Sequence, residues 1–184
     1  MQSRYLPCLV AAAVALAGVL LAQTTPPAVE AAPTSFEARK WDYTQKIEGA
    51  RAEVYKTVGD VSVLLHVFEP ESGPKANRPA IVLFYGGGWG GGSPLQFEKQ
   101  CRYLARRGMV AIAADYRVRS RHKVTADVCV TDAKSAIRWV RANASRLGLD
   151  PQRIAAGGGS AGGHIAAATG TVPGFEEPGE NLKI

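Results

Sequence analysis

From position 53 onward the chain switches repeatedly between two periods of hydrophobicity. Glu53 to Val58 and Val61 to Phe68 are rich in β-branched and apolar residues, and the Gly59-Asp60 pair between them predicts a hairpin that forms an antiparallel edge. Ala80 to Tyr85 and Met109 to Ala114 are continuously apolar, as strands buried on both faces are, and Arg153 to Gly157 is a shorter run of the same kind. Helical stripes separate these runs. Phe97, Cys101 and Leu104 recur at i, i+4 and i+7 and are stopped by Gly108. Ser93-Pro94 with Gln96 matches a capping box with proline at the first helical position. Cys129, Ala133, Ala136, Ile137 and Val140 form the second stripe. Arg138, Arg141 and Arg146 follow toward its negatively polarised end, and Gly148 closes it. Asp150-Pro151 predicts a turn, and His164 to Thr169 the start of a third helix. Strand, helix, strand, helix, strand, helix is an α/β pattern. It implies a mostly parallel sheet with helices on both faces, right-handed crossovers and ligand sites at the carboxyl ends of the strands.

The residues before this pattern have another character. Arg4 followed by an unbroken apolar stretch, Leu9 to Ala22, predicts an export signal over residues 1–22, with cleavage near Ala22. The stretch is shorter than the roughly 20 residues of a spanning helix, so an uncleaved anchor is the weaker alternative. Cys8 lacks the small-residue run that precedes a lipoprotein cleavage site. Residues 23–40 form a Pro/Ala-rich linker, and the domain occupies 41–184. A secreted or periplasmic protein with no stable membrane insertion after cleavage follows from this order.

Composition changes the picture little. The chain has 184 residues, 46% of them hydrophobic, enough for one domain with a real core. Its net charge is +6, from 22 Lys and Arg against 16 Asp and Glu, but the basic residues follow no nucleic-acid motif, and no nucleic-acid partner is expected. The densest cluster, Arg117, Arg119, Arg121, His122 and Lys123, reads as a solvated loop or, alternatively, a rim that attracts acidic substrates. Cys101 and Cys129 remain after signal removal; an oxidising compartment permits a bridge, and burial as small apolar side chains is the competing reading. No metal is expected, because the histidines and cysteines lack ligand spacing.

Two motifs carry chemistry. Gly158-Gly159-Ser160-Ala161-Gly162 fits G-x-S-x-G between a predicted strand and a predicted helix, the context of a nucleophile elbow, with Ser160 the candidate nucleophile and Gly158 and Gly162 the small residues the turn demands. A phosphate-binding turn is the rival reading, but a dinucleotide fingerprint belongs after the first parallel strand and this motif follows the third. Tyr85-Gly86-Gly87-Gly88-Trp89 ends the first parallel strand, where the N–H groups of Gly87 and Gly88, with that of Ala161, are candidate oxyanion donors.

In this order the motifs resemble the α/β-hydrolase esterases and lipases related to hormone-sensitive lipase and bacterial acetyl esterases. The likeness runs over nearly all of Glu53 to Gly170 and includes Asp115-Tyr116-Arg117, the run from Asp132 to Trp139, and Asp150 to Ile154. It implies the N-terminal part of an α/β-hydrolase fold and ester hydrolysis through an acyl-enzyme at Ser160, without a cofactor. A small ester or acetylated carbohydrate is the implied substrate. The family has His where this chain has Tyr85, which can still brace the loop by hydrogen bonding. Asp115 and Arg117 are expected to fix the loop leaving the sheet, Asp132 to cap or pair locally, and His164 to pack on the flank of the elbow helix. The family's acid and histidine follow the nucleophile in chain order, and after Ser160 the sequence offers no histidine but His164. The 184 residues alone are therefore expected to be inactive and to expose an apolar strand edge. A peptidase or formamidase of the same fold and a non-catalytic module are the alternatives.

Overall fold

Leu65, Val67, Ile112 and Val82 point to one side of a sheet and Phe68, Ala111, Ala113 and Leu83 to the other, the period-2 consequence of apolar strands covered on both faces. The computed structural model describes residues 46–183. The export signal, the linker and the start of the domain at Trp41 lie outside the described residues.

Among the described residues there are five strands: β1 (Arg51–Val58), β2 (Val61–Phe68), β3 (Arg78–Phe84), β4 (Val110–Ala114) and β5 (Leu149–Gly158). Their order across the sheet is β1-β2-β4-β3-β5. β1 and β2 form the expected antiparallel hairpin, β2 pairs antiparallel with β4, and β3 pairs parallel with both β4 and β5. The helices are α1 (Glu98–Ala105), α2 (Arg119–His122), α3 (Ala126–Ala142), α4 (Ala144–Leu147) and α5 (Ala161–Thr171). Cys101 and Ala105 of α1 pack on one face, and Cys129, Ala133, Ala136 and Val140 of α3 with Ile165 of α5 on the other. This is the α/β arrangement expected.

Several local expectations are corrected. Asp150-Pro151 lies inside β5, whose pairing with β3 jumps from Arg78–Leu149 to Ala80–Ile154, so the residues that read as a turn form an irregular insertion in an extended strand. The Asp150 carboxylate accepts from the Gln152 N–H at 2.9 Å, an Asx bond that explains the turn-like composition. The third helix starts at Ala161, three residues earlier than the apolar stripe indicates, because Gly162 and Gly163 carry no side chains to show the period. The segment after Ser93 is a 3-10 turn, Pro94–Phe97, that leads into α1; Ser93 Oγ caps it at the Leu95 N–H, but the Gln96 side chain does not close a capping box. The basic loop contains the short helix α2, which periodicity cannot reveal at four residues.

Cys101 and Cys129 are both free and buried, on opposite faces of the sheet, so they do not pair. Burial pushes both thiols up to about 12, and they act as small apolar side chains.

Candidate active site

The β3–α1–β4 unit and the β5–α5 unit leave the sheet on opposite faces, so the carboxyl ends of the adjacent strands β3 and β5 flank a topological switch point. Both motifs meet there. Ser160 caps α5 with φ 50° and ψ −120°, a backbone conformation that costs a non-glycine residue energy and that tertiary contacts must hold. The serine is exposed.

Close packing holds it. The Gly159 N–H donates to the Phe84 carbonyl at 3.3 Å, extending the β3–β5 pairing to the turn. The Gly162 N–H donates to the Gly159 carbonyl at 2.8 Å and the His164 N–H to the Ser160 carbonyl at 3.0 Å, starting α5 at once. A β-carbon on Gly162 would lie 2.5 Å from the Phe84 carbonyl carbon and nearer still to its oxygen; one on Gly158 would lie 2.5 Å from that oxygen. Glycine is required at both positions because the helix passes over the strand end with no room between.

The glycine loop lies against this turn. A β-carbon on Gly86 would stand 3.3 Å from Ser160 Cβ and 2.8 Å from the Gly159 oxygen. Gly87, Gly88 and Trp89 follow with φ of 144°, 58° and 59°, and the Gly90 N–H donates to the Gly87 carbonyl at 3.0 Å. The structure therefore brings the Gly86–Gly88 loop, Ser160 and Ala161, the first residue of α5, to one place.

A polar network braces the loop from below. Tyr85 Oη donates to Asp115 Oδ1 at 2.7 Å, and the Tyr85 and Tyr116 rings stack at 4.3 Å. Tyr116 Oη donates to the Tyr85 carbonyl at 2.7 Å. Arg121 donates to Asp115 Oδ1 and Tyr85 Oη, each at 2.9 Å, and to the Gly92 carbonyl at 2.8 Å. Burial and the adjacent Asp115 charge hold the Tyr85 phenol well above the usual tyrosine range, so it stays a donor. Tyr85 thus braces the loop by hydrogen bonding, as expected for this position.

Asp115 and Arg117 do fix the loop leaving β4. Arg117 donates to Asp132 through Nε at 2.9 Å and Nη2 at 2.7 Å. Asp132, however, is no local cap: it also receives Lys56 Nζ from β1 at 2.9 Å and is fully buried, so it joins α3, the β4 exit and the hairpin. His164 is exposed on α5 and its ring meets Trp89 edge-on at 5.4 Å, in keeping with packing on the helix flank.

One contributor escapes the sequence reading. Gln96 Oε1 accepts the Gly86 N–H at 2.7 Å and lies 3.6 Å from where a Gly159 β-carbon would be, so it bridges the glycine loop and the elbow. Its capping-box spacing pointed to Ser93 instead. Among the described residues no cluster of three or more His, Cys, Asp or Glu side chains is placed to hold a metal ion.

This sheet, with a serine strained on the strand-to-helix turn and a glycine loop beside it, is the α/β-hydrolase fold of the esterase and lipase group related to hormone-sensitive lipase and acetyl esterases. Within that class the chain belongs to the BD-FAE family, whose model matches residues 65–183. Esterase 2 of Thermogutta terrifontis is similar in structure: its apo form is 56% identical with a TM-score of 0.73, over 76% of this chain and 52% of that one. The same esterase phosphorylated by paraoxon is 55% identical with a TM-score of 0.74, over 76% and 54%. Esterase LipC of Mycobacterium tuberculosis is 37% identical over 112 residues, 60% of this chain and 27% of that protein. Carboxylesterase NlhH of the same species is 38% identical over 92 residues, 50% and 28%. The chain thus spans about a quarter of those two proteins' length and about half of the solved esterase.

Proposed function

We propose that this chain is the nucleophile-bearing part of an exported serine carboxylic-ester hydrolase. The observation that carries the reading is Ser160 at φ 50° and ψ −120° on the turn between β5 and α5, exposed and flanked by the glycine loop. In this mechanism Ser160 Oγ attacks the ester carbonyl while a histidine takes its proton, and a carboxylate orients that histidine. The N–H groups of Gly87, Gly88 and Ala161 stabilise the oxyanion, each contribution being worth about 3 kcal/mol in comparable sites. The tetrahedral intermediate collapses with loss of the alcohol, protonated by the histidine, and water then releases the acid from the acyl-serine by the same steps in reverse roles. We place the histidine and its acid outside these 184 residues. His66 is buried in β2, His122 Nδ1 accepts the Val118 N–H, and His164 is packed against Trp89, so each has a structural position of its own.

Small esters with short acyl groups fit the reading, since Thermogutta terrifontis esterase 2 has been solved with propionate and with butyrate bound. Acetylated carbohydrate is a narrower candidate within that class. Export is supported by Arg4, the apolar Leu9 to Ala22 stretch and the Pro-rich segment after it.

One experiment examines both parts. The protein is expressed at full length, treated with paraoxon and analysed by peptide mass spectrometry. The reading expects a diethylphosphoryl adduct on Ser160, none in Ser160→Ala, and a mature N-terminus near Gln23. An adduct on another serine would overturn the nucleophile; an intact N-terminus held in the membrane pellet would overturn export.

A further inference from the structure

The basic run between β4 and α3 is not uniform. Arg117 is neutralised by buried Asp132, and Arg121 by Asp115. Arg119, exposed between them, makes no side-chain hydrogen bond or ion pair with a described residue. Its position is nonetheless defined. The Arg119 N–H donates to the Trp89 carbonyl at 3.1 Å and the Ser120 N–H to the Gly90 carbonyl at 2.9 Å, tying α2 to the glycine loop. Arg119 lines a cavity of about 180 Å³ whose wall also includes Gly88, Trp89, Thr125 and Ala126. For scale, an apolar cavity of about 150 Å³ accepts benzene. Asp127, at the start of α3, lines an adjoining cavity with His164 and Phe175.

Gly88, one of the proposed oxyanion donors, lines this cavity, so the cavity is adjacent to where a substrate carbonyl oxygen would rest. A guanidinium on that wall, paired with no carboxylate of the described residues, offers a planar fork of donors matched to a carboxylate. We infer that Arg119 binds a carboxylate carried by the substrate, making the enzyme selective for esters of acidic molecules. This rests on the ester-hydrolase reading above and names the substrate class for that same site.

The test uses the full-length protein with three esters at one ionic strength: 4-nitrophenyl acetate, 4-nitrophenyl hemisuccinate with its carboxylate on the acyl side, and 4-acetoxybenzoate with its carboxylate on the alcohol side. Arg119→Gln is expected to lower kcat/KM for at least one carboxylate-bearing ester about tenfold more than for the neutral ester. Arg119→Lys, which keeps the charge, retains most of that difference. Arg106→Gln, beyond α1 on the other face, shows no such difference, which separates local binding from general attraction to a basic protein. Calorimetric titration with 4-acetamidobenzoate, an anion without an ester, reads the site without turnover, and its dissociation constant is expected to rise about tenfold in Arg119→Gln. Equal losses on all three esters with unchanged binding of the anion overturn the inference while leaving the hydrolase intact. Arg119-dependent binding of the anion without hydrolysis of any ester would instead overturn the hydrolase reading and keep the anion site.

Discussion

At Gly162 a single β-carbon decides whether α5 can lie over the end of β3. The methyl of Gly162→Ala would overlap the Phe84 carbonyl, a backbone group that cannot rotate away, so the helix must lift or the turn must open. The expected loss is about 3 kcal/mol or more, beyond ordinary overpacking. Gly170 in the same helix is the control: nothing lies within 4 Å of its β-carbon, so Gly170→Ala should gain about 0.5 kcal/mol through helix propensity. Thermal unfolding of both variants checks the pair, and equal effects would show that close approach does not govern the elbow. His66 is a second residue with a readable consequence. It is 1% exposed, neither ring nitrogen has a hydrogen-bond partner among the described residues, and burial lowers its pKa from the ordinary 6.5 despite the opposing pull of Asp115. The unfolded chain therefore binds a proton that the folded chain refuses. The stability from this group is present above pH 6.5 and is lost as pH falls below it. His66→Leu should flatten the fall in unfolding free energy between about pH 7 and 5. His122, whose pKa is lowered chiefly by burial and then by Arg121, keeps a remaining slope in the same direction. A slope unchanged by the substitution would refute the account.

Among the elements, what could be read from sequence was whatever repeats or whatever sterics force. β4 is buried at every position, and its continuous apolar run announces this; the α3 stripe of Cys129, Ala133, Ala136 and Val140 is likewise the face that packs. The elbow was legible because no other residues fit at Gly158 and Gly162. Gln96 and Asp132 were misread for a common reason: each has a plausible neighbour in sequence, but its hydrogen bonds go to Gly86 and to Lys56, partners that spacing cannot reveal. β5 shows a different limit. Its composition is that of a central strand, yet among the described strands it stands at the sheet edge, and Ala155 and Ala156 are exposed. Such an edge pairs readily with another chain. Expressed as these 184 residues, the protein should self-associate, and Ala155→Lys should reduce this by placing charge on the strand. Analytical ultracentrifugation of both proteins measures it; a monomeric parent chain would contradict the reading.

Across the described strands, the sheet order β1-β2-β4-β3-β5 makes only half of the neighbouring pairs, β1–β2 and β3–β4, neighbours along the chain. β2 and β3 follow one another in sequence but do not pair; β4 lies between them, hydrogen-bonded to both. The polar ties are similarly distant: Lys56 and Asp132 are 76 positions apart, Tyr85 and Asp115 are 30 apart. This order constrains how the protein can be built on the ribosome. While synthesis runs from the amino terminus, the β1–β2 hairpin emerges first with no partner for its inner edge, and β3 emerges with nothing to join. A hairpin alone is marginal in water. Only when residues 110 to 114 arrive can β4 enter the gap and unite the pieces, and only with Gly158 and α5 does Ser160 acquire its strained backbone. Among the described strands and helices the strained turn is thus late to take shape, and the strands made before it must stay uncommitted until β5 and α5 are synthesised.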